Sequence, residues 1–259
     1  MAFLTLNYKS DALGMSTAVN VILPESAKHG TGTPYKTLYL LHGLTDDHTA
    51  WTRFTSIERY AAEYVIAVVM PSVGRNWYTN TTCGRKYFSF ITNELPRVCR
   101  SYFCGMSARR EDNFIAGLSM GGYGAAKAAL TYPDRYFGFA SLSGAVDLAI
   151  RDRSRYAKEF AMIFGTEGGN TSALAGTAND PFHLAALYAS EHSATAQKMF
   201  IWCGTEDTLI ESNRKFHTHL TALGIEHKYA ESEGDHSWKW WDLHIKSALE
   251  YLLQGEVAQ

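Results

Sequence analysis

Residues 117–122 read Gly-Leu-Ser-Met-Gly-Gly, after the largely apolar Asn113-Phe114-Ile115-Ala116 and before the Ala-rich stretch that starts at Tyr123. A Gly-x-Ser-x-Gly turn between a strand and a helix is the pattern of a nucleophile elbow. The chemistry accounts for the residue types. The strand must turn at once into the helix, which strains the backbone at Ser119, and side chains two positions to either side would collide. The serine Oγ then stands at the helix N-terminus. There the Met120 N–H and the positive end of the helix dipole face whatever Ser119 attacks. A glycine-rich strand-to-helix turn can also cradle phosphate. That use needs Gly-x-Gly-x-x-Gly after the first strand of a sheet, or Gly-Lys-Ser/Thr at the end of the loop, and neither pattern is present. The turn reads as the carrier of a catalytic serine.

A serine hydroxyl needs a base, and the base needs an acid to hold its tautomer. Behind an elbow of this kind the chain order is Ser, then Asp or Glu, then His. The chain has 10 histidines. His183 and His192 precede the expected acid. His217 and His219 lie two apart in a helix, cannot share a face, and are expected to be exposed. His227 opens a strand and His244 lies inside the last helix. His236, in Gly234-Asp235-His236-Ser237-Trp238, falls between the last strand and the last helix, where the base belongs. The acid should follow the preceding strand. Asp207 does so in Gly204-Thr205-Glu206-Asp207-Thr208 and could also cap the next helix; Glu206 and Asp235 are its competitors.

A second oxyanion donor should come from the loop after an earlier strand. Thr37–Leu41 runs into His42-Gly43-Leu44-Thr45-Asp46-Asp47-His48, which would bring the Leu44 N–H beside the elbow. His42, Asp46, Asp47 and His48 suggest a metal site in composition only. The glycine turn already has a use and no ligand spacing supports a metal, so none is expected.

The elements that must hold these groups follow from hydrophobic period. Strands are expected at Met15–Leu23, Thr37–Leu41, 65–70, 137–142 and 199–203. Helices are expected at 54–64, at 87–103 with a kink at Pro96, at 209–223, and from Trp238 onward. Leu209, Phe216, Leu220 and Leu223 share one face, as do Trp238, Trp241, Ile245, Ala248 and Leu252. Strands alternating with helices imply an α/β chain with a mostly parallel central sheet and helices on both faces, and a nucleophile elbow after one of those strands makes the expected fold the α/β-hydrolase fold. The rhythm weakens after Gly144, and Gly165, Gly168, Gly169 and Asn170 interrupt short helical pieces. Residues 1–259 are read as one domain, with a small cap-like insertion at about 145–197 over the C-terminal edge of the sheet.

Composition narrows the function. The chain has 259 residues, 46% hydrophobic and 19% charged, with a formal net charge of −2. That offers no basic footprint for nucleic acid or an anionic membrane; the run Arg151-Asp152-Arg153-Ser154-Arg155 reads as a solvated face. Apolar runs are too short to span a bilayer, and the N-terminus has no signal-peptide pattern. The cysteines at 83, 99, 104 and 203 are irregularly spaced, which points to reduced thiols and a cytoplasmic protein rather than zinc or disulfides.

Three motifs together carry a family resemblance: Leu41-His42-Gly43-Leu44-Thr45, Gly117 to Gly122, and Gly234-Asp235-His236-Ser237-Trp238 with Trp241-Asp242. Trp77-Tyr78 and Phe90-Ile91-Thr92-Asn93-Glu94-Leu95-Pro96 add to it. Over most of its length the chain resembles the esterase D and S-formylglutathione hydrolase group of α/β-hydrolases, above all its bacterial tributyrin esterase branch. The resemblance implies a serine carboxylesterase acting on short acyl esters through an acyl-enzyme. Its triad would be Ser119, Asp207 and His236, with the amides of Leu44 and Met120 as the oxyanion hole and no cofactor. The formylglutathione hydrolases usually carry cysteine where Asp46 stands, and residues 74–86 look shorter than theirs. Both departures favour an oxyester over a glutathione thioester. A thioesterase with the same triad, an acetyl or feruloyl carbohydrate esterase and a non-catalytic binding protein are the rivals; the last has no use for elbow, acid and histidine together. A small-molecule ester is the expected partner, with a homo-oligomer allowed. Trp51, Trp77, Met120 and the insertion are candidates for the substrate pocket wall.

Overall fold

A computed structural model describes residues 1–25, 34–149, 156–191 and 196–253. Its strands are β1 (Ala2–Ser10), β2 (Met15–Leu23), β3 (Thr37–Leu41), β4 (Ala67–Pro71), β5 (Asn113–Leu118), β6 (Gly138–Leu142), β7 (Lys198–Gly204) and β8 (Lys228–Ser232). They form one 8-stranded sheet in the order β1-β2-β4-β3-β5-β6-β7-β8. β2 is antiparallel to both β1 and β4, and the remaining pairs are parallel. The strand order reverses direction around β3, β4 and β5. Loops leaving the C-terminal ends of β3 and β5 therefore open a crevice between them, the usual ligand position in open α/β sheets.

The helices are α1 (Ala50–Phe54), α2 (Ile57–Tyr64), α3 (Tyr87–Ser89), α4 (Leu95–Tyr102), α5 (Met120–Thr131), α6 (Ala157–Phe164), α7 (Pro181–Glu191), α8 (Ile210–Ala222) and α9 (Trp238–Leu253). Alternation along the buried strands feeds two cores. On β3, Tyr39 and Leu41 join the core shared with α4, α5 and α8. Leu38 and Leu40 face the other, shared with α1, α2 and α9. Strands buried on both faces in this way read as continuous apolar runs. Along α9, Trp241, Ile245, Ala248 and Leu252 are buried as expected, and Trp238 only partly.

Local structure departs from expectation where backbone chemistry intervenes. The helix expected at 54–64 begins only at Ile57, because Thr55 is extended (φ −136°, ψ 171°) and Phe54 ends a separate helix, α1. The strand expected from 65 begins at Ala67, because Val65 ends α2 in the left-handed region (φ 53°). The bend expected at Pro96 takes the form of a π turn, Phe90–Glu94, running directly into α4. Pro96 cannot donate to Thr92 O four residues earlier; Arg135 Nη1 takes that place at 3.2 Å. β1 was not foreseen. It lies on the sheet edge with most of its residues exposed, although Leu4, Leu6 and Tyr8 alternate with Thr5, Asn7 and Lys9 and turn Leu6 and Tyr8 onto the core.

Between β6 and β7 lie α6, two short 3₁₀ turns (Glu167–Gly169 and Thr171–Leu174) and α7. Phe160 of α6 packs on Trp77 with ring centroids 5.4 Å apart, and Glu159 pairs with Arg75 at 2.8 Å. This stretch thus sits against the loop after β4. The run 151–155 and His192 fall outside the described residues. No helix among the described residues is long and apolar enough to cross a membrane.

Candidate active site

Ser119 links β5 to α5 with φ 52° and ψ −115°, a conformation that costs a non-glycine residue free energy and must be held by its surroundings. Three backbone hydrogen bonds hold it. Ser119 N donates to Leu142 O at 2.9 Å, and Ser119 O accepts from Tyr123 N and Ala145 N at 3.1 and 3.0 Å. The flanking glycines answer to close approach. A Cβ at Gly117 would lie 2.5 Å from the Gly121 carbonyl group, and one at Gly121 would lie 2.4 Å from Leu41 O. The turn is thus wedged against the end of β3, which is registered beside it through Leu41 and Gly117.

His236 occupies the loop between β8 and α9. Its Nε2 lies 3.0 Å from Ser119 Oγ and its Nδ1 lies 2.7 Å from Asp207 Oδ2. With Nδ1–H donating to the carboxylate, Nε2 offers its lone pair to the serine hydroxyl. The ring packs edge-on against Trp241 at 4.9 Å. Asp207 follows β7, and its side chain is fully buried while that of His236 is 34% exposed. Burial pushes the Asp207 carboxyl up. His236, the Leu209 amide and the Ser143 hydroxyl outweigh burial and leave it below the ordinary value. Oδ1 accepts from Leu209 N at 2.8 Å, which ties the carboxylate to the turn leading into α8, but the N-cap of α8 is Leu209 and not Asp207. Of its competitors, Asp235 accepts from Ser237 Oγ and Glu206 accepts from Gly234 N at 2.6 Å.

Ser143 is a contributor that the sequence did not single out. It follows β6 with φ 47°, its Oγ accepts from Trp241 Nε1 at 3.2 Å, and its hydroxyl bonds Asp207. Its only signal in the sequence is a polar residue at the end of the apolar run 137–142.

The loop after β3 carries Leu44 to the cleft beside Ser119. Among the described residues, neither Leu44 N–H nor Met120 N–H donates to a partner within the chain. His42 points away from the cleft. It is 1% exposed, its Nε2 accepts from Val73 N at 3.0 Å, and Nδ1 must then carry the proton that it donates to Gly43 O at 2.7 Å. Burial lowers its pKa to about 4 and keeps the ring neutral. Asp46 Oδ2 accepts from Gly43 N at 3.2 Å, with burial raising its carboxyl, while Asp47 accepts from the Thr49 amide and hydroxyl. These side chains have separate partners, and among the described residues no group of three or more His, Cys, Asp or Glu is placed to hold a metal.

The cleft has a volume of about 640 Å³, and its walls include Leu44, Asp46, Trp77, Tyr156, Trp238 and Trp241. Trp77 borders the cleft with only 2% of its surface exposed. Trp51 and the Met120 side chain do not border it. Trp51 is 1% exposed in the opposite core, donating from Nε1 to Leu41 O at 3.0 Å, and it reaches the cleft only through its edge contact with Trp238. The Met120 side chain is fully buried, leaving only its amide for the site. His217 and His219 are half-buried rather than exposed. The residue before β8 and a residue of α7 supply partners: His217 Nδ1 lies 2.7 Å from His227 Nε2, and His219 Nε2 donates to Phe182 O at 2.9 Å.

Residues 10–252 match the family described as putative esterase. An acetyl esterase of Caldicellulosiruptor saccharolyticus is 31% identical, over 97% of this chain and 98% of that protein. The substrate-bound structure of fluorophosphonate-binding serine hydrolase F from Staphylococcus aureus superposes with a TM-score of 0.88 at 36% identity, covering 98% of both chains. The apoenzyme of S-formylglutathione hydrolase from the same organism gives 0.85 at 37% identity, over 98% of this chain and 99% of that one.

Proposed function

The chain belongs to this esterase family and is a serine hydrolase of the α/β-hydrolase fold, and we propose that Ser119, His236 and Asp207 are its triad, acting on short acyl esters. The observation that carries the assignment is the unbroken run from a buried carboxylate through His236 to Ser119 Oγ, at 2.7 and 3.0 Å, opening on a cleft.

The reaction follows from the geometry. Ser119 Oγ attacks the acyl carbonyl while His236 Nε2 takes its proton. The carbonyl oxygen becomes an oxyanion, which the Leu44 and Met120 N–H groups stabilise together with the N-terminus of α5. The imidazolium, held by the ionised Asp207, returns the proton to the departing alcohol oxygen. Water then attacks the acyl-enzyme by the same steps in reverse roles, releasing the acid and restoring Ser119. No step calls for a metal or organic cofactor.

The oxyester reading is favoured by Asp46 at the cleft wall, whose carboxylate opposes an anionic leaving group such as glutathione. The similarity to a protein named S-formylglutathione hydrolase keeps the thioester as the second reading, and that to an acetyl esterase fits a small acyl group. We treat residues 1–259 as one domain with 145–197 as its cap. The free thiols of Cys83, Cys99, Cys104 and Cys203 support a cytoplasmic setting.

Ser119→Ala is expected to lower kcat on p-nitrophenyl butyrate by roughly 10⁴-fold or more with the fold intact. A fluorophosphonate is expected to add once per chain, at Ser119. Labelling elsewhere, or turnover that survives in Ser119→Ala, would overturn the mechanism. Faster kcat/KM on a matched thioester than on its oxyester would replace the first reading by the second.

A further inference from the structure

We propose that Lys127 is a positioning residue which, through Tyr78 and His42, sets the Gly43–Leu44 peptide that receives the oxyanion. The inference rests on the reading of Leu44 N–H as an oxyanion donor.

Lys127 lies in α5, two turns beyond Ser119, and is 3% exposed. Its Nζ donates to Tyr78 O at 3.3 Å, Thr79 Oγ1 at 2.9 Å and Asn179 Oδ1 at 2.7 Å. The Thr79 hydroxyl spends its own proton on Trp77 O at 2.8 Å, so it faces the lysine as an acceptor. Three acceptors meet the three N–H bonds of an ammonium group, and a neutral amine would leave one of them without a donor. The rings of Phe88 and Tyr123 close around the Nζ at 4.6 and 5.6 Å from their centroids. Burial alone lowers the ammonium to about 7. An apolar side chain would fill this place in an Ala-rich helix without that cost. The specific work left to the lysine is to hold the segment that its donors reach.

That segment is unusual. Trp77 and Tyr78 are consecutive non-glycine residues in the left-handed region, at φ 49° and 46°, a conformation that persists only where its surroundings enforce it. Both carbonyls of the pair lead to Lys127, that of Tyr78 directly and that of Trp77 through Thr79. The Tyr78 ring packs on α5 where Gly124 leaves room, since a Cβ there would fall 2.5 Å from the ring. From that seat Tyr78 Oη donates to His42 O at 2.9 Å.

His42 completes the connection. With Nε2 accepting from Val73 N, its Nδ1–H donates to Gly43 O at 2.7 Å. That carbonyl belongs to the same peptide unit as the Leu44 N–H. A hydrogen bond at the oxygen end fixes the plane of the unit and strengthens the donor at the nitrogen end. The other donor, Met120 N–H, begins α5 itself. Lys127 and Tyr78 therefore refer both halves of the oxyanion hole to one helix, and a displacement of about 1 Å at a reacting centre is costly.

The test uses Tyr78→Phe, Lys127→Met and the double variant in the full chain, with kcat and KM on p-nitrophenyl butyrate scaled to sites titrated by a fluorophosphonate. Lys127→Gln replaces Lys127→Met should the latter not fold. Each single variant is expected to lower kcat about 10- to 100-fold with KM changed by less than about 2-fold. The double variant is expected to fall less than about 3-fold below the lower single, because both act along one path. A purely structural role would cut the titrated fraction and leave kcat per site alone. Wild-type kcat per site in Tyr78→Phe, which keeps the ring and loses only the hydroxyl, would overturn the relay while a Ser119 adduct left the serine mechanism standing. Losses that multiply in the double variant would also overturn it. A wild-type enzyme that forms no adduct at Ser119 would overturn both.

Discussion

Asp207 Oδ2 lies 2.7 Å from His236 Nδ1 across 29 residues of chain, whereas Asp235, the immediate neighbour of His236, turns its carboxylate to Ser237. Of the three candidate carboxylates, Asp207, Asp235 and Glu206, only the buried one faces the nitrogen that must be held. Asp207→Asn is expected to lower kcat by roughly 10⁴-fold, because an amide can hold the wrong imidazole tautomer. Asp235→Asn and Glu206→Gln should cost far less, the latter acting only through the Gly234 amide that carries the loop. Steady-state kcat of the three variants decides the matter: equal losses in Asp207→Asn and Asp235→Asn would leave the acid unassigned.

The wedge between the elbow and β3 gives a second prediction. A Cβ at Gly121 would meet Leu41 O at 2.4 Å, Leu41 C at 2.7 Å and His42 O at 2.8 Å, all of them backbone. No side chain can swing aside to make room. Gly121→Ala should therefore destabilise the fold by about 3 kcal/mol or more, at the upper end of overpacking costs. Any folded fraction should show kcat per titrated site reduced on the order of 10²-fold, since His42 leads directly into the oxyanion loop. Thermal midpoint and kcat both near wild type would show that the two segments are not wedged.

The proposed triad was legible because each of its candidates is announced by local chemistry. Gly121 reflects contact with the end of β3 and Gly117 contact with Gly121 itself; Asp207 follows the apolar run of β7, and His236 stands just before the apolar face of α9. What escaped was whatever depends on a distant segment. Trp51 beside the oxyanion loop suits a cleft wall as well as a core, and only the pairing of α1 with α9 seats it under Leu41. Lys127 in an Ala-rich helix resembles any solvated lysine until residues 77–79 and Asn179 close over it. Ser143 belongs to no motif, and Trp77-Tyr78 adds to the resemblance without assigning Tyr78 a role; their importance lies in what their hydroxyls reach.

Acyl length offers a third prediction. Trp77 forms a rigid wall, backed by Phe160 at 5.4 Å and Tyr123 at 5.8 Å between ring centroids. Each surplus methylene that such a wall excludes is worth roughly 1–3 kcal/mol in the transition state. Over a p-nitrophenyl series, kcat/KM should fall at least on the order of 10-fold from butyrate to decanoate. Trp77→Leu, smaller but still apolar, should raise octanoate relative to butyrate. An unchanged ratio in this variant would remove Trp77 from the acyl side of the cleft, and a wild-type preference for decanoate would refute the short-chain reading.

The fourth prediction concerns acid. His42 is buried and neutral, with a pKa lowered by burial from 6.5 to about 4. His244, stacked on Trp202 with centroids 3.8 Å apart, is likewise lowered by burial to about 4. Between those values the unfolded chain binds protons that the folded chain refuses, so stability rises with pH across the window and is lost as pH falls from 6.5 toward 4. For His42 the interval corresponds to about 3 kcal/mol; the more exposed His244 adds a smaller loss in the same direction. The first consequence lies in the oxyanion loop, because a protonated His42 can no longer accept from Val73 N and the ring loses one of its two anchors. Thermal midpoints measured from pH 7 to pH 4 should fall in the wild type. They should fall less steeply in His42→Gln, which retains a donor and an acceptor but nothing that titrates. Parallel slopes in the two proteins would show that His42 is not a source of the acid sensitivity.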